Sequence, residues 1–99
     1  MTVYDDLEKC AGFEWDEGNR DKNWETHHVS DGECEEIFFN DPLIVAPDSE
    51  HSKHERRLFV LGLTNADRRL FVAYTIRKHR IRVISARDMN RRELRKYKS

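Results

Sequence analysis

The residues best able to do chemistry in this 99-residue chain crowd into its second half. His51 stands just ahead of a Glu55-Arg56-Arg57 cluster, and Arg77, Arg80, Arg82 and Arg87 follow on or beside two neighbouring runs of apolar residues. A histidine, with an ordinary pKa of about 6.5, suits proton transfer near neutrality. The planar fork of an arginine can hold two phosphate oxygens, and it stabilises charge that develops on phosphorus during attack by a ribose 2′-hydroxyl. A base, an acid and a cationic clamp are what such a reaction needs. Each residue also has a plainer reading, since a loop histidine can simply bond a backbone carbonyl and surface arginines are commonly solvated. Fifteen cations between His51 and Ser99 nevertheless exceed what solubility asks for.

Other chemistries lack their signatures. Neither GxxxxGK nor GxGxxG occurs, which leaves phosphate contact to side chains rather than to a glycine-rich loop. Cys10, Cys34, His27, His28, His51 and His54 contain no CxxC or HExxH spacing, so no metal and no other cofactor is expected. His27 and His28 close a helix, where imidazoles satisfy terminal carbonyls. Tyr74 and Tyr97 could stack on bases or pack, with packing the natural role of Tyr74.

Charge divides the chain at its midpoint. Met1 to Glu50 hold three basic residues against fifteen acidic ones, net −12, whereas His51 to Ser99 hold fifteen against four, net +11. The whole-chain value of −1 hides both, and a polyanion should be drawn to one side of the molecule. The length suits one domain over residues 1–99, with a modest core that hides roughly 65% of the unfolded surface. No apolar run approaches the ~20 residues that cross a bilayer, and the first ten residues are acidic where a signal peptide would be basic, which points to the cytoplasm and to reduced thiols at Cys10 and Cys34.

The elements that must position these residues read as α+β. Gly12 to Trp15 alternates like a short strand that buries Phe13 and Trp15. Asp16 suits an N-cap for a helix over residues 17–28 packed through Trp24. Ser30 with Glu33 forms a capping box for a second helix through Cys34, Ile37 and Phe38, ending near Asn40. Leu43 to Val45 is a strand, residues 46–53 a mobile loop, and Leu58–Leu63, Leu70–Ile76 and Ile81–Ala86 an antiparallel meander. In the last strand, alternation puts Ile81, Val83 and Ser85 on one face and Arg80, Arg82, Ile84 and Ala86 on the other. Asn90 with Glu93 caps a terminal helix that sets Leu94 and Tyr97 on one side and leaves Arg91, Arg92, Arg95, Lys96 and Lys98 to solvent.

The set Phe13-Glu14-Trp15-Asp16, Asn23 with His27 and Val29, Asp41-Pro42, His51 with Glu55-Arg56, Gly62, Arg80 through Arg87, and Glu93 with Tyr97 resembles the BrnT toxin family. The match runs from about residue 12 to 97, with residues 1–11 left as a variable extension. The resemblance implies a RelE-like ribonuclease fold, a small antiparallel meander packed by two N-terminal helices and a short C-terminal one. It also implies the toxin of a bacterial type II toxin-antitoxin pair, which cleaves RNA and arrests translation. Its partner would be a BrnA-type ribbon-helix-helix antitoxin, through which alone the complex meets operator DNA. The residues matched to this function are His51, Glu55, Arg56, Arg77, Arg82, Arg87 and Tyr97. At His28 the family carries a glycine, which favours a left-handed helix cap.

Two other readings use the same residues. A non-catalytic basic module would dock nucleic acid or an acidic partner, and a head-to-tail oligomer would pair the acidic half of one copy with the basic half of the next.

Overall fold

A computed structural model describes residues 3–52 and 54–98, without the side chains of residues 3 and 5. Its centre is a four-stranded antiparallel meander in sequential order: β1 (Ile44–Pro47), β2 (Leu58–Leu63), β3 (Arg69–Arg77) and β4 (Arg80–Asp88). Around it lie α1 (Val3–Glu8), α2 (Lys22–His27), α3 (Asp31–Glu36) and α4 (Arg91–Lys98), with 3-10 turns at Ile37–Phe39 and Ser49–His51. The α+β class and the meander agree with the sequence reading. Among the described residues no helix is long and apolar enough to cross a membrane.

β3 and β4 join through Lys78-His79, both at positive φ (51° and 63°), the handedness that lets a two-residue turn follow the twist of its strands. The pairing Arg77↔Arg80, Ile76↔Ile81, Thr75↔Arg82 and Tyr74↔Val83 then slips, because Ala73 pairs with Ser85 and Ile84 is left as an extra residue. This bulge corrects the strict alternation expected for β4. Beyond it Ala86 turns inward with Ile81 and Val83, Ser85 turns outward, and Ile84 is exposed. Arg87, opposite Phe71, thereby shares a face with Arg82, opposite Thr75.

The core occupies the other face. Val45, Leu58, Val60, Leu70, Val72, Tyr74, Ile81, Val83 and Ala86 pack against Val29, Cys34 and Ile37, with Phe13, Trp15 and Phe38 at the margin. The second cluster, on the outward face, is smaller: Tyr97 and Leu94 of α4 cover Leu61, with Met89, Leu63, Phe71 and Ile44 beside them. α4 therefore shields only one end of that face. Asn90 and Glu93 cap it reciprocally, each side chain accepting from the other's backbone N–H at 2.9 Å. Ser30 and Glu33 close the same box at the start of α3.

The free edge of β4 is covered by the chain before α2. Phe13 forms an isolated parallel bridge with Ile81, rather than a full strand over 12–15. Buried Asn19 donates to the carbonyls of Glu14 and Val83, and the Asn23 side chain accepts from the Ala86 N–H. These bonds account for a further difference. The helix begins only at Lys22, because residues 17–21 form turns anchored by Asp16 and Asn19, and Asp21 rather than Asp16 takes the cap position, without a side-chain cap bond. It faces β4 through Asn23, so Trp24 lies 53% exposed instead of packing the helix down.

The acidic and basic halves meet inside one molecule. Arg82 pairs with Glu14 and Asp16, Arg56 with Asp6, and Arg68 with Glu33. Both cysteines are free thiols; burial pushes the Cys34 pKa up to about 12. β1 runs on through Ala46 and Pro47, so five residues of the expected loop over 46–53 are ladder or 3-10 turn, its last residue lying outside the described ones.

His28 ends α2 in the left-handed region (φ 55°, ψ 39°) and donates its N–H back to the Trp24 carbonyl, while the His28 carbonyl accepts from Arg68. A side chain there costs about 1–2 kcal/mol that glycine avoids. His28→Gly should therefore exceed His28→Ala in unfolding free energy by about 1 kcal/mol in urea titrations, both having lost the ring contact to Trp24. Equal midpoints would contradict this.

Candidate functional site

The half of the outward sheet face that α4 leaves open is framed by the segment from β1 to β2. Past the Pro47↔Leu58 pair, Asp48 donates its N–H to the Arg57 carbonyl, while Ser52 Oγ donates to the Asp48 carbonyl and accepts the Arg57 N–H. The 3-10 turn is thus tied to the start of β2, and His51 is carried over the sheet. Its Nδ1 lies 3.0 and 3.1 Å from the two Asp48 carboxylate oxygens.

A concavity of about 580 Å³ opens here. His51, His54, Glu55 and Arg57 wall it, with Thr75 and Ile84 contributed by β3 and β4. Ile84 reaches it as the bulged residue, and Thr75 Oγ1 donates to the Arg56 carbonyl at 2.7 Å. Arg57 sits with its Nε buried, 3.5 Å from an Asp48 oxygen and without a hydrogen-bond partner among the described residues.

At the hairpin end Arg77 forks onto Glu55, Nε and Nη2 donating at 2.7 and 2.9 Å. The Arg77 bond, against slight desolvation, holds the Glu55 carboxyl below its ordinary range, and Glu55 in return raises the Arg77 pKa. Beside them Arg82 forks onto Asp16 at 2.7 and 3.1 Å and donates to Glu14 at 2.9 Å. Its bond lowers the Asp16 pKa. Arg77 and Arg82 are close enough to repel, which the neighbouring carboxylates offset. Forked on one side only, Arg77 still presents three of its five N–H donors, whereas Arg82, bonded to both carboxylates, keeps two.

Arg87 lies farther along the same face, about 13 Å from the Arg82 row by strand rise over four residues of β3. It forks onto Glu93 at 2.7 and 3.0 Å, and its guanidinium carbon stands 4.2 Å from the centroid of the Phe71 ring. Desolvation would raise the Glu93 pKa, but the Arg87 and Asn90 bonds outweigh it and the net shift is downward.

His51 and Glu55 therefore share the concavity, Arg77 joins them through its fork onto Glu55, Arg82 stands next to Arg77, and Arg87 lies farther along the face. Arg56 and Tyr97 are not part of this group. Arg56 meets Asp6 of α1 at 2.6 Å, and Tyr97 is buried on the inner side of α4 with its hydroxyl donating to the Pro42 carbonyl. Asp48, Thr75 and Ile84 line or support the concavity and were not among the sequence candidates, while Arg57 and His54, noted beside His51, were not assigned a role in the site. Parity could not separate Arg56 from Arg57, because Leu58 and Val60 on one face of β2 and Phe59, Leu61 and Leu63 on the other are equally apolar. Among the described residues no three His, Cys, Asp or Glu side chains gather as a metal set.

Comparison with known proteins supplies the context for this geometry. No curated protein matches the chain. Residues 15–93 match the family model described as "Ribonuclease toxin, BrnT, of type II toxin-antitoxin system". That span takes in Asn19 and Asn23 at the β4 edge, the whole sheet, the concavity and the start of α4, and the chain belongs to the BrnT family of type II toxin-antitoxin ribonuclease toxins.

Proposed function

We propose that this chain is a metal-independent endoribonuclease that cleaves single-stranded RNA by attack of a 2′-hydroxyl on the adjacent phosphorus, and so inhibits translation. The observation that carries this reading is a concavity walled by His51, Glu55 and Arg57, with Arg77 forked onto that Glu55 at its rim and Arg82 next to Arg77 on the same sheet face. RNA would lie along that face, with its phosphates over the arginine line and its continuation toward Arg87.

The residues divide the work by their charge states. Glu55, held ionised by Arg77, cannot give a proton at neutral pH and serves to orient the guanidinium. His51 takes the 2′-hydroxyl proton, the O2′–P bond forms, the P–O5′ bond breaks, and solvent water protonates the departing 5′-oxygen. His51 then returns its proton to solvent. Arg77 and Arg82 stabilise the charge gathering on the phosphoryl oxygens, and Arg87 holds a phosphate farther along. Arg56 contributes to RNA attraction from the far side of β2, and Tyr97 supports the site by fixing α4 over its edge.

The meander with flanking helices is read as RelE-like. The toxin-antitoxin family implies an antitoxin partner; we take it to be of the BrnA ribbon-helix-helix type, with operator DNA bound only through the complex in the cytoplasm.

Purified protein in EDTA should convert RNA to fragments ending in a 2′,3′-cyclic phosphate and beginning with a 5′-hydroxyl, and a 2′-deoxy nucleotide should block the cut 3′ to it. His51→Ala and Arg77→Ala should each lower the rate at least ~10²-fold. Salt-sensitive binding without cleavage would instead establish the non-catalytic module.

Arg77→Ala should also move the Glu55 carboxyl upward toward its ordinary value, as read by NMR titration. The sign follows from linkage. A depressed folded pKa stabilises the fold above the ordinary carboxylate value, and that contribution disappears as pH falls through the folded value. Because the pair is largely exposed, solvent screening keeps its effect on stability small while the titration shift stays measurable.

A further inference from the structure

Asp48 is spent unexpectedly. It occupies the cap position of the 3-10 turn Ser49–His51, yet its side chain makes no cap bond to the turn. Both carboxylate oxygens face His51 Nδ1 instead, and one stands 3.5 Å from the buried Nε of Arg57. The carboxylate is 16% exposed against 59% for the His51 ring. Its backbone is held at two points, through its N–H to Arg57 and its carbonyl to Ser52. An anchored, half-sheltered acid thus touches the two wall residues of the concavity that carry opposite duties, one a proton carrier and the other a fixed cation.

Resting on the ribonuclease reading, we propose that Asp48 is a positioning residue of the reaction: it holds His51 in the tautomer protonated at Nδ1 and sets the Arg57 guanidinium beside it. The physical reason is the directionality of imidazole. In neutral histidine one ring nitrogen donates and the other accepts, so a carboxylate at Nδ1 leaves Nε2 as the proton acceptor. Nε2 then receives the 2′-hydroxyl proton as O2′ bonds to phosphorus and the 5′-oxygen leaves with a proton from water. The imidazolium formed is stabilised by the same carboxylate. Arg57, whose Nε has no hydrogen-bond partner among the described residues, offers its remaining donors to the phosphoryl oxygens. Asp48 never meets the substrate and acts through these two side chains.

The test combines a spectroscopic readout with kinetics. Long-range ¹H–¹⁵N correlation spectra of the full chain with labelled histidine, recorded where His51 is neutral, should show the Nδ1–H tautomer. Asp48→Ala should shift it toward Nε2–H. The same variant should lose at least tenfold in kcat on an RNA oligonucleotide with KM changed less than threefold. Asp48→Ala added to His51→Ala should cost less than Asp48→Ala does alone, since the ring is gone and only the Arg57 contact remains to be lost. Unfolding midpoints of the variants exclude a simple loss of fold, and Asp48→Glu offers a second variant that keeps the charge. An Nε2–H tautomer in the unmodified protein, an unchanged kcat in Asp48→Ala, or additive losses in the double variant would each overturn the proposal. Nδ1–H in a protein that cleaves no RNA would keep the contact but overturn both the ribonuclease reading and the role assigned to Asp48 within it.

Discussion

The register slip between β3 and β4 is the constraint on which the site depends. Arg82 and Arg87 are five residues apart, an odd number, so in an unbroken strand one would face the core and the other solvent. The extra residue at Ile84 restores them to the same side and at once turns Ala86 into the core. One irregularity therefore sets the cationic line, places an apolar side chain in the concavity and closes the packing under α2. Bulges that re-aim side chains beside a functional site are a known device of antiparallel sheets.

The charge break has a structural use different from a bare basic surface. Arg56, Arg77, Arg82 and Arg87 each meet a carboxylate, and for Arg56 and Arg82 that carboxylate comes from the acidic half. Such pairs add little stability where they are exposed. Their effect is orientation: a forked guanidinium gives up rotamer freedom before any ligand arrives and keeps its outer donors available. With acidic and basic halves paired inside one molecule, the long-range field is weaker than the half-chain sums suggest.

Local signals were legible where a residue's neighbours in sequence are also its neighbours in space. The capping boxes at Ser30 and Asn90, the apolar stripe of α4 and the three runs of the meander are of this kind, and, the residues of β4 beyond the bulge apart, their side chains stand where spacing placed them. What escaped depended on partners distant in sequence. Asn23 is buried and Trp24 exposed because α2 docks by hydrogen bonds onto the edge of β4, 63 residues away, which no helical periodicity encodes. The bulge at Ile84 has no composition of its own, and β2, apolar on both faces, hid the choice between Arg56 and Arg57. Asp48 and His51 at i, i+3 were readable in principle, but only the turn at Ser49 brings their side chains together.

The central claim is that one half of one sheet face receives RNA. Amide chemical-shift mapping with a 2′-O-methylated oligonucleotide, which can bind but lacks the attacking hydroxyl, tests it most directly. The account predicts perturbations that concentrate at His51, Arg57, Thr75, Arg77, Arg82 and Ile84, fade toward Arg87 and leave α1 and the core face unmoved. Perturbations centred instead on Asp6 and Arg56, or scattered without a focus, would contradict it.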